Sequence, residues 1–516
     1  MFILVKKLLK FVDTAISTPL AHIFTLSLQT GKFPSKLKCS KIVPIYKGGD
    51  KTKCTNYRPI SLVNTFAKII EKIVAIKLTN HLQINKLITN AQFGFQRGVS
   101  TEYNLIHLTN FVMDALNDND YCIGIFLDLQ KAFDVVPHDI LLTKLNYLGV
   151  KDTSLKWFES YLSERTQCVT INGKTSSKKN INISVMQGSV LGPLLFLCFI
   201  NDLVNSSSIL RLLLFADDTC ALDRDKDLKN LINRSNVELQ KIANWFLINR
   251  ISVNTAKCKF ILFHKHKKKI NVDDLKICYN SNLIGTHNDP CNIFELERIC
   301  NNSLKEENKY YKYLGIHIDE NLSFNSHIQY ICNKLNKSLY CLNRIKNQLN
   351  SKSLRTIYFA IFHSHLLYCN SILNCTCQTN INRIIILQKK AIRSITKSNY
   401  NAHTAPLFSN LQILPFQKFL SLNKLLFMHS IHYNYAHASF ESVWKKNNQR
   451  EMNYTLRNLT DYTLPLPKIE SFRKCPLYSF PYEWNNLKNE IKCQHNKTTF
   501  KIALTNELFN QINNDN

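Results

Sequence analysis

The sequence predicts an α+β fold, and three observations predict it. Short β-branched runs alternate with amphipathic helical patterns across residues 41–265. Two of those runs, CIGIFLDL (122–129) and LRLLLFADDTCAL (210–222), are apolar on both faces, as buried strands are, and each is interrupted by acids. From Tyr310 onward helical spacing dominates, as in 326–347 and 351–373. At 516 residues the chain is too long for one ordinary domain, so two or three folding units are expected. A hydrophobic content of 45% places it among globular rather than disordered chains.

Taken in order, residues 1–41 read as a helical extension that ends at a Gly-Lys-Phe-Pro break at 31–34. Residues 42–265 carry the mixed strand and helix pattern. Within them, Leu228, Leu231, Ile232, Leu239, Ile242 and Phe246 form one helical stripe, which is ordinary core packing. Residues 266–305 are polar and punctuated (HKKKINVDD, GTHNDP) and read as an insert or linker. Residues 306–400 form a mainly helical unit. The remainder, 401–516, has no role that its pattern discloses.

Lys and Arg number 66 against 37 acidic residues, a net charge of +29. So large an excess repels itself unless a polyanion is near, and it favours a nucleic-acid partner. The 17 cysteines are odd in number and follow no regular framework, as expected of reduced thiols in an intracellular protein. Apolar runs such as LGPLLFLCFI (191–200) are too short to span a bilayer, and FILVKKLLKFV (2–12) is short and broken by three lysines. No membrane partner is expected. His363, His365, Cys369, Cys375 and Cys377 gather in FHSHLLYCNSILNCTC, but with no Cys-x₂-Cys pair they read as packing residues. HKHKKK (264–269) reads as a solvated linker, with nucleic-acid binding or a nuclear signal as the competing readings.

The acids matter most. Asp128 sits near the end of a buried strand, where an unpaired carboxylate needs a cation or a donor network. Asp217 and Asp218 sit between two apolar runs, at the turn of an expected hairpin. Converging, the three would make an oxygen-rich site suited to two Mg²⁺ ions roughly 3.5–4 Å apart. Alone, each is equally a strand end or a polar turn.

The surroundings resemble the reverse transcriptases of non-LTR (LINE-type, jockey-like) retrotransposons. IVPIYKGGDKTKCTNYRPISLVNTFAKIIEKIV (42–74) and AQFGFQRGVSTEYNLIHL (91–108) are similar to their two finger segments. FLDLQKAFDVVPHDILLTKL (126–145), MQGSVLGPLLFLCFINDL (186–203), FADDT (215–219) and NWFLINRISVNTAKCKFILF (244–263) resemble palm motifs A to D, and YLGIHID (313–319) the segment after them. HLLYCNSILNC (365–375) and YEWNNLKNEI…FKIALTNELF (482–509) resemble C-terminal segments of such elements.

The resemblance implies a right-hand polymerase: fingers, a palm with an antiparallel sheet, a thumb, and a mainly helical C-terminal region. It implies an RNA-directed DNA polymerase that uses an RNA template, a DNA primer or nicked target DNA, dNTPs and two Mg²⁺ ions, with Mn²⁺ as a substitute. Asp128, Asp217 and Asp218 match the metal-binding carboxylates, and Lys257 the motif D lysine that protonates pyrophosphate. Phe133 matches the steric gate against a ribose 2′-hydroxyl, and Gln187-Gly188 the turn that faces the incoming nucleotide. Lys68 and Arg97 match finger residues that neutralise the triphosphate, and Arg58 a template contact. The endonuclease domain that nicks target DNA in such elements is absent from this chain, so no nuclease activity is expected. A ribonucleoprotein in nucleus and cytoplasm is the expected setting. The competing readings are a non-catalytic RNA-binding remnant and a group II intron-type maturase.

Overall fold

A computed structural model describes residues 13–265, 270, 275–281, 293–447 and 461–514. At its centre lies a five-stranded sheet. Its strands are β3 (Tyr121–Leu127), β7 (Arg211–Phe215), β8 (Asp218–Asp225), β9 (Lys259–Phe263) and β12 (Glu297–Ile299), and their order across the sheet is β12-β9-β3-β8-β7. The central strand β3 pairs antiparallel with β8 on one side and with β9 on the other.

Both faces of this sheet are covered, which is why β3 reads as apolar throughout. Ile123, Ile125 and Leu127 face a core shared with the helices Gly192–Ile200 and Leu228–Ile248. Cys122 and Phe126 face a second core that runs from the helix Thr101–Asn117 through the C-terminal helices to Ile512. The strand period of two thus sorts one run into two cores.

A second sheet builds the fingers. β1 (Cys39–Tyr46) pairs antiparallel with β2 (Tyr57–Leu62) and parallel with β4 (Arg165–Ile171), to which β5 (Lys174–Thr175) and β6 (Lys179–Ile181) add. This sheet therefore joins the segment 39–62 to residues 165–181, far along the chain. A parallel pairing between segments so distant in sequence has no local signal.

The stretch 266–305, expected as an insert or linker, contributes structure at its far end. β10 (Cys278–Asn280) pairs with β11 (Ile293–Glu295), and β12 joins the edge of the central sheet, parallel to β9. Of the basic run 264–269, residues 266–269 lie outside the described residues, as do 1–12 of the N-terminal extension.

The hairpin of β13 (Tyr311–Tyr313) and β14 (Ile316–Ile318) docks beneath the palm: Tyr311 stacks on Phe126 at 4.5 Å between ring centres, and the Tyr313 hydroxyl donates to Asn104 Oδ1 at 3.0 Å. The helices Asn325–Ile345, Gln378–Thr396, Phe416–His432, Pro476–Asn485 and Lys497–Asn514 follow, packed into the same core as the palm's lower face. Among the described residues no helix is long and apolar enough to cross a membrane.

Candidate active site

The geometry starts from register. β3 and β8 run antiparallel with Leu127 opposite Thr219, so the next step sets Asp128 beside Asp218. β7 and β8 join in a tight turn, Phe215 pairing with Asp218 across Ala216 and Asp217. Ala216 holds φ +55°, in the left-handed region. Two strands that are distant in sequence thereby end at one rim of the sheet, and each end carries acid.

The three carboxylates feel one another. The Asp217 carboxyl is raised above the usual range, by burial first and also by the charge of Asp128; its own backbone N–H, Arg58 and Lys47 oppose the rise. Asp218 is pushed up to about 6, by burial and then by the charges of Asp217 and Asp128. Lys257 Nζ lies 3.2 Å from Asp128 Oδ2, with the lysine 57% and the aspartate 32% exposed. A loop straps this end of β3 in place: Asn254 N–H donates to Asp128 O at 2.8 Å, and Gln130 N–H donates to Ser252 O at 2.9 Å.

Among the described residues no group of three or more His, Cys, Asp or Glu side chains is placed to hold a metal ion. Asp128, Asp217 and Asp218 are neighbours at the strand ends and influence one another's charge. The donor set itself fits a hard divalent cation. It offers carboxylate oxygens, and burial first and mutual repulsion second raise the pKa values of Asp217 and Asp218.

Phe133, half-buried, stacks on Phe196 at 4.6 Å and meets the exposed Phe95 edge-on at 6.0 Å. Gln187 accepts the Ser61 N–H on its backbone oxygen at 2.7 Å, and its side-chain amide reaches Asp134 at 3.4 Å. Gly188 has φ +111°, and a Cβ there would stand 2.5 Å from Ser61 O. Only glycine lets the 186–189 turn lie this close against the finger strand β2. The buried Glu71 holds the next residues, accepting from Val190 N–H at 2.7 Å and from the Tyr161 hydroxyl at 3.0 Å.

The basic finger residues divide. Arg58 and Lys47 are exposed, and both act on Asp217. Lys68 is half-buried on the helix Thr65–Ile84 and Arg97 is exposed beyond Gly94; neither is among the charges that shape Asp217 or Asp218. Lys47 is not singled out by the sequence. Its signal is a lysine just ahead of Gly48-Gly49 at the tip of a strand, but only the β1–β2 pairing, with Lys47 N–H donating to Asn56 O at 2.8 Å, turns it toward the site alongside Arg58.

Of the histidines and cysteines of 362–377, His363, Cys369 and Cys375 are buried, His365 is half-buried and Cys377 is exposed. His363 lies against Phe419 at 4.6 Å, and the Cys375 thiol points at Lys474 O.

The family model for reverse transcriptase (RNA-dependent DNA polymerase) matches residues 45–318, more than half of the chain. The RNA-directed DNA polymerase from mobile element jockey of Drosophila melanogaster is 30% identical over 406 residues, covering 76% of this chain and 41% of that protein. The probable RNA-directed DNA polymerase from transposon BS of the same species is 29% identical over 413 residues, covering 76% and 42%. The chain thus spans about two fifths of the length of these relatives. Among solved structures, the apo telomerase of Candida Tropicalis is a loose likeness, with a TM-score of 0.40 and 13% identity over 77% of this chain and 66% of that one. The match across fingers, palm and the β13–β14 hairpin, together with the acids at the rim of the central sheet, establishes that this chain belongs to the reverse transcriptase family.

Proposed function

We propose that this chain is the RNA-directed DNA polymerase of a non-LTR retrotransposon, adding dNTPs to a DNA 3′-end on an RNA template. The observation that carries the reading is the meeting of Asp128 with Asp217 and Asp218 at the ends of β3 and β8. Asp128, Asp217 and Asp218 would hold two Mg²⁺ ions, or Mn²⁺ in their place. Such ions activate a 3′-hydroxyl and stabilise a leaving pyrophosphate.

The chain's own residues do the rest. Arg58 and Lys47 face the acids from the fingers and suit the phosphates of a nucleotide, Arg by a bidentate fork and Lys as a point charge. Lys68 and Arg97 are the remaining basic candidates for the triphosphate of a bound nucleotide. Arg58, exposed and basic, also suits a contact with the template backbone. Lys257, held beside Asp128, is the acid available to a departing pyrophosphate. The Gln187-Gly188 turn offers close backbone approach to the base pair being formed.

Phe133 supports sugar selection: its ring is held rigidly by Phe196, so a 2′-hydroxyl above it finds neither room nor a partner. The partners are an RNA template, a primer or nicked target DNA, and dNTPs, met inside the cell as a ribonucleoprotein. The net charge of +29 fits a backbone-dominated grip on the nucleic acid.

Primer extension on poly(rA)/oligo(dT) tests the reading, with Asp217→Asn as the control. Wild type should extend in Mg²⁺ or Mn²⁺ and the variant should not. A wild type that binds RNA but extends nothing points to the RNA-binding remnant. Equal extension by both proteins shows that the activity lies elsewhere. The same assay reads the gate. Phe133→Val should lower the dNTP-over-rNTP ratio of kcat/KM by roughly tenfold or more, whereas an unchanged ratio with lower overall activity makes Phe133 a packing residue only.

A further inference from the structure

The segment Ala91-Gln92-Phe93-Gly94 belongs by sequence to the fingers, yet it runs beside the palm strand β7. Phe93 N–H donates to Leu214 O and Leu214 N–H to Ala91 O, each at 2.8 Å, and Gln92 pairs with Leu214 as a short parallel bridge. Gln92 is 1% exposed. Its side-chain Oε1 accepts two backbone N–H groups, one from Gly94 at 2.8 Å and one from Ala216 at 2.9 Å. Gln96 closes the segment by donating from Nε2 to the Gln92 carbonyl.

Ala216 directly precedes Asp217 and Asp218, and its φ of +55° is a conformation that alanine avoids unless its surroundings hold it there. Gly94 lies so close beneath the same turn that a Cβ on it would stand 2.3 Å from Ala216 N. The turn that aims the two carboxylates is thus gripped from below by one buried amide oxygen and by one backbone that carries no side chain.

We propose that Gln92 is a positioning residue, which with Gly94 clamps the Ala216 N–H and so fixes the direction of Asp217 and Asp218. The inference rests on the polymerase reading of those acids. It assigns the second finger segment a task apart from nucleotide binding: its tip is a buttress for the palm turn. Catalysis by positioned groups tolerates little displacement, a shift of about 1 Å costing about a hundredfold.

The test uses the full chain and two readouts. Hydrogen–deuterium exchange reports on the peptide 210–222, and primer extension gives kcat, the KM for dNTP and the half-saturating Mg²⁺ concentration. Gln92→Met keeps the bulk but removes the acceptor. It should speed exchange at the turn while the helix 228–248 stays protected, raise half-saturating Mg²⁺ severalfold, and lower kcat roughly tenfold or more with the KM for dNTP unchanged. Gln92→Glu keeps an acceptor oxygen in either protonation state and replaces an Nε2 that is buried without a partner, so it should restore turn protection. If Gln92→Met does not fold, Gly94→Ala carries the same expectations, because it pushes on the same N–H.

Wild-type exchange at the turn with unchanged Mg²⁺ dependence overturns the proposal. So does loss of protection spread evenly over the palm with kcat per folded molecule intact. A wild type that extends no primer sinks the polymerase reading instead, and leaves the exchange experiment to decide the clamp.

Discussion

The palm rim and the C-terminal helices both bury titratable groups, and they do so in opposite ways. At the rim, Asp217 and Asp218 lie beside Asp128, and burial plus mutual charge drives their pKa values up. In the C-terminal half the buried groups are interleaved with aromatics. His363 lies against Phe419 with its pKa lowered to about 4, and His432 lies against Trp484, also lowered to about 4. His429 stacks near Phe500 and bonds Gln494 O at 2.8 Å, and burial pushes the Cys475 thiol up to about 12. Lys424, 4% exposed, is answered by Glu483 at 2.6 Å. The helical half therefore keeps its groups neutral or paired, as packing requires. The rim gathers three like charges that Lys257, Arg58 and Lys47 answer only in part, so Asp217 and Asp218 keep raised pKa values.

Four substitutions probe this contrast. Asp217→Asn should reduce primer extension by about a thousandfold or more, with thermal stability and RNA binding retained. A variant that also unfolds would mean that the acid is structural after all. Lys424→Met should do the reverse. It leaves Glu483 without its partner and should destabilise the fold by about 2–3 kcal/mol, read by urea titration, with kcat per folded molecule unchanged. A fall in kcat at full folding would give the C-terminal half a direct part in catalysis.

The third test is acid. His363 carries a folded-state pKa of about 4, below the usual 6.5. Its contribution is therefore present above pH 6.5 and is lost as the pH falls toward 4, because the unfolded chain binds the proton first. Wild type should lose about 1–2 kcal/mol on this account between pH 6.5 and pH 5, and His363→Phe should show a shallower loss. Asp218 acts with the opposite sign: with its pKa raised to about 6, acid relieves it, and its ionisation weighs against folding above that pH. An equal acid response of His363→Phe and wild type would show that the ring already titrates freely. The smallest effect belongs to Lys257→Ala. The Lys257–Asp128 pair is solvent-accessible on the lysine side, so stability should move by less than about 1 kcal/mol. Extension should slow severalfold and not stop. An arrest as complete as that of Asp217→Asn would promote Lys257 from helper to essential acid.

Most of the acid site is legible in the sequence, because its parts are contiguous. A strand buried on both faces must be apolar throughout, so an Asp at its end is conspicuous, and Ala216-Asp217-Asp218 stands between two such runs. Phe133 and Gln187-Gly188 are singled out by the family resemblance, each lying within one continuous motif, and not by burial or alternation. The basic residues are harder to read. Lys68 and Arg97 carry the expected side chains, but the charges that reach Asp217 come from Arg58 and Lys47, since a lysine's direction depends on the hairpin that carries it. The edge strand β12 is hidden in a polar stretch because three residues at a sheet edge need no apolar run.

Composition and alternation therefore dictate which side chains are available for the chemistry and which strands must be buried, because burial of a strand is a local constraint of period two. Which of those side chains meet is a matter of tertiary pairing. Asp128 reaches Asp218 only through the β3–β8 register, β4 reaches β1 only by a parallel crossing, and Gln92 reaches Ala216 only because the finger segment lies along β7. Those contacts are hydrogen-bonded pairings between segments far apart in the chain, and neither partner's composition encodes the other's position.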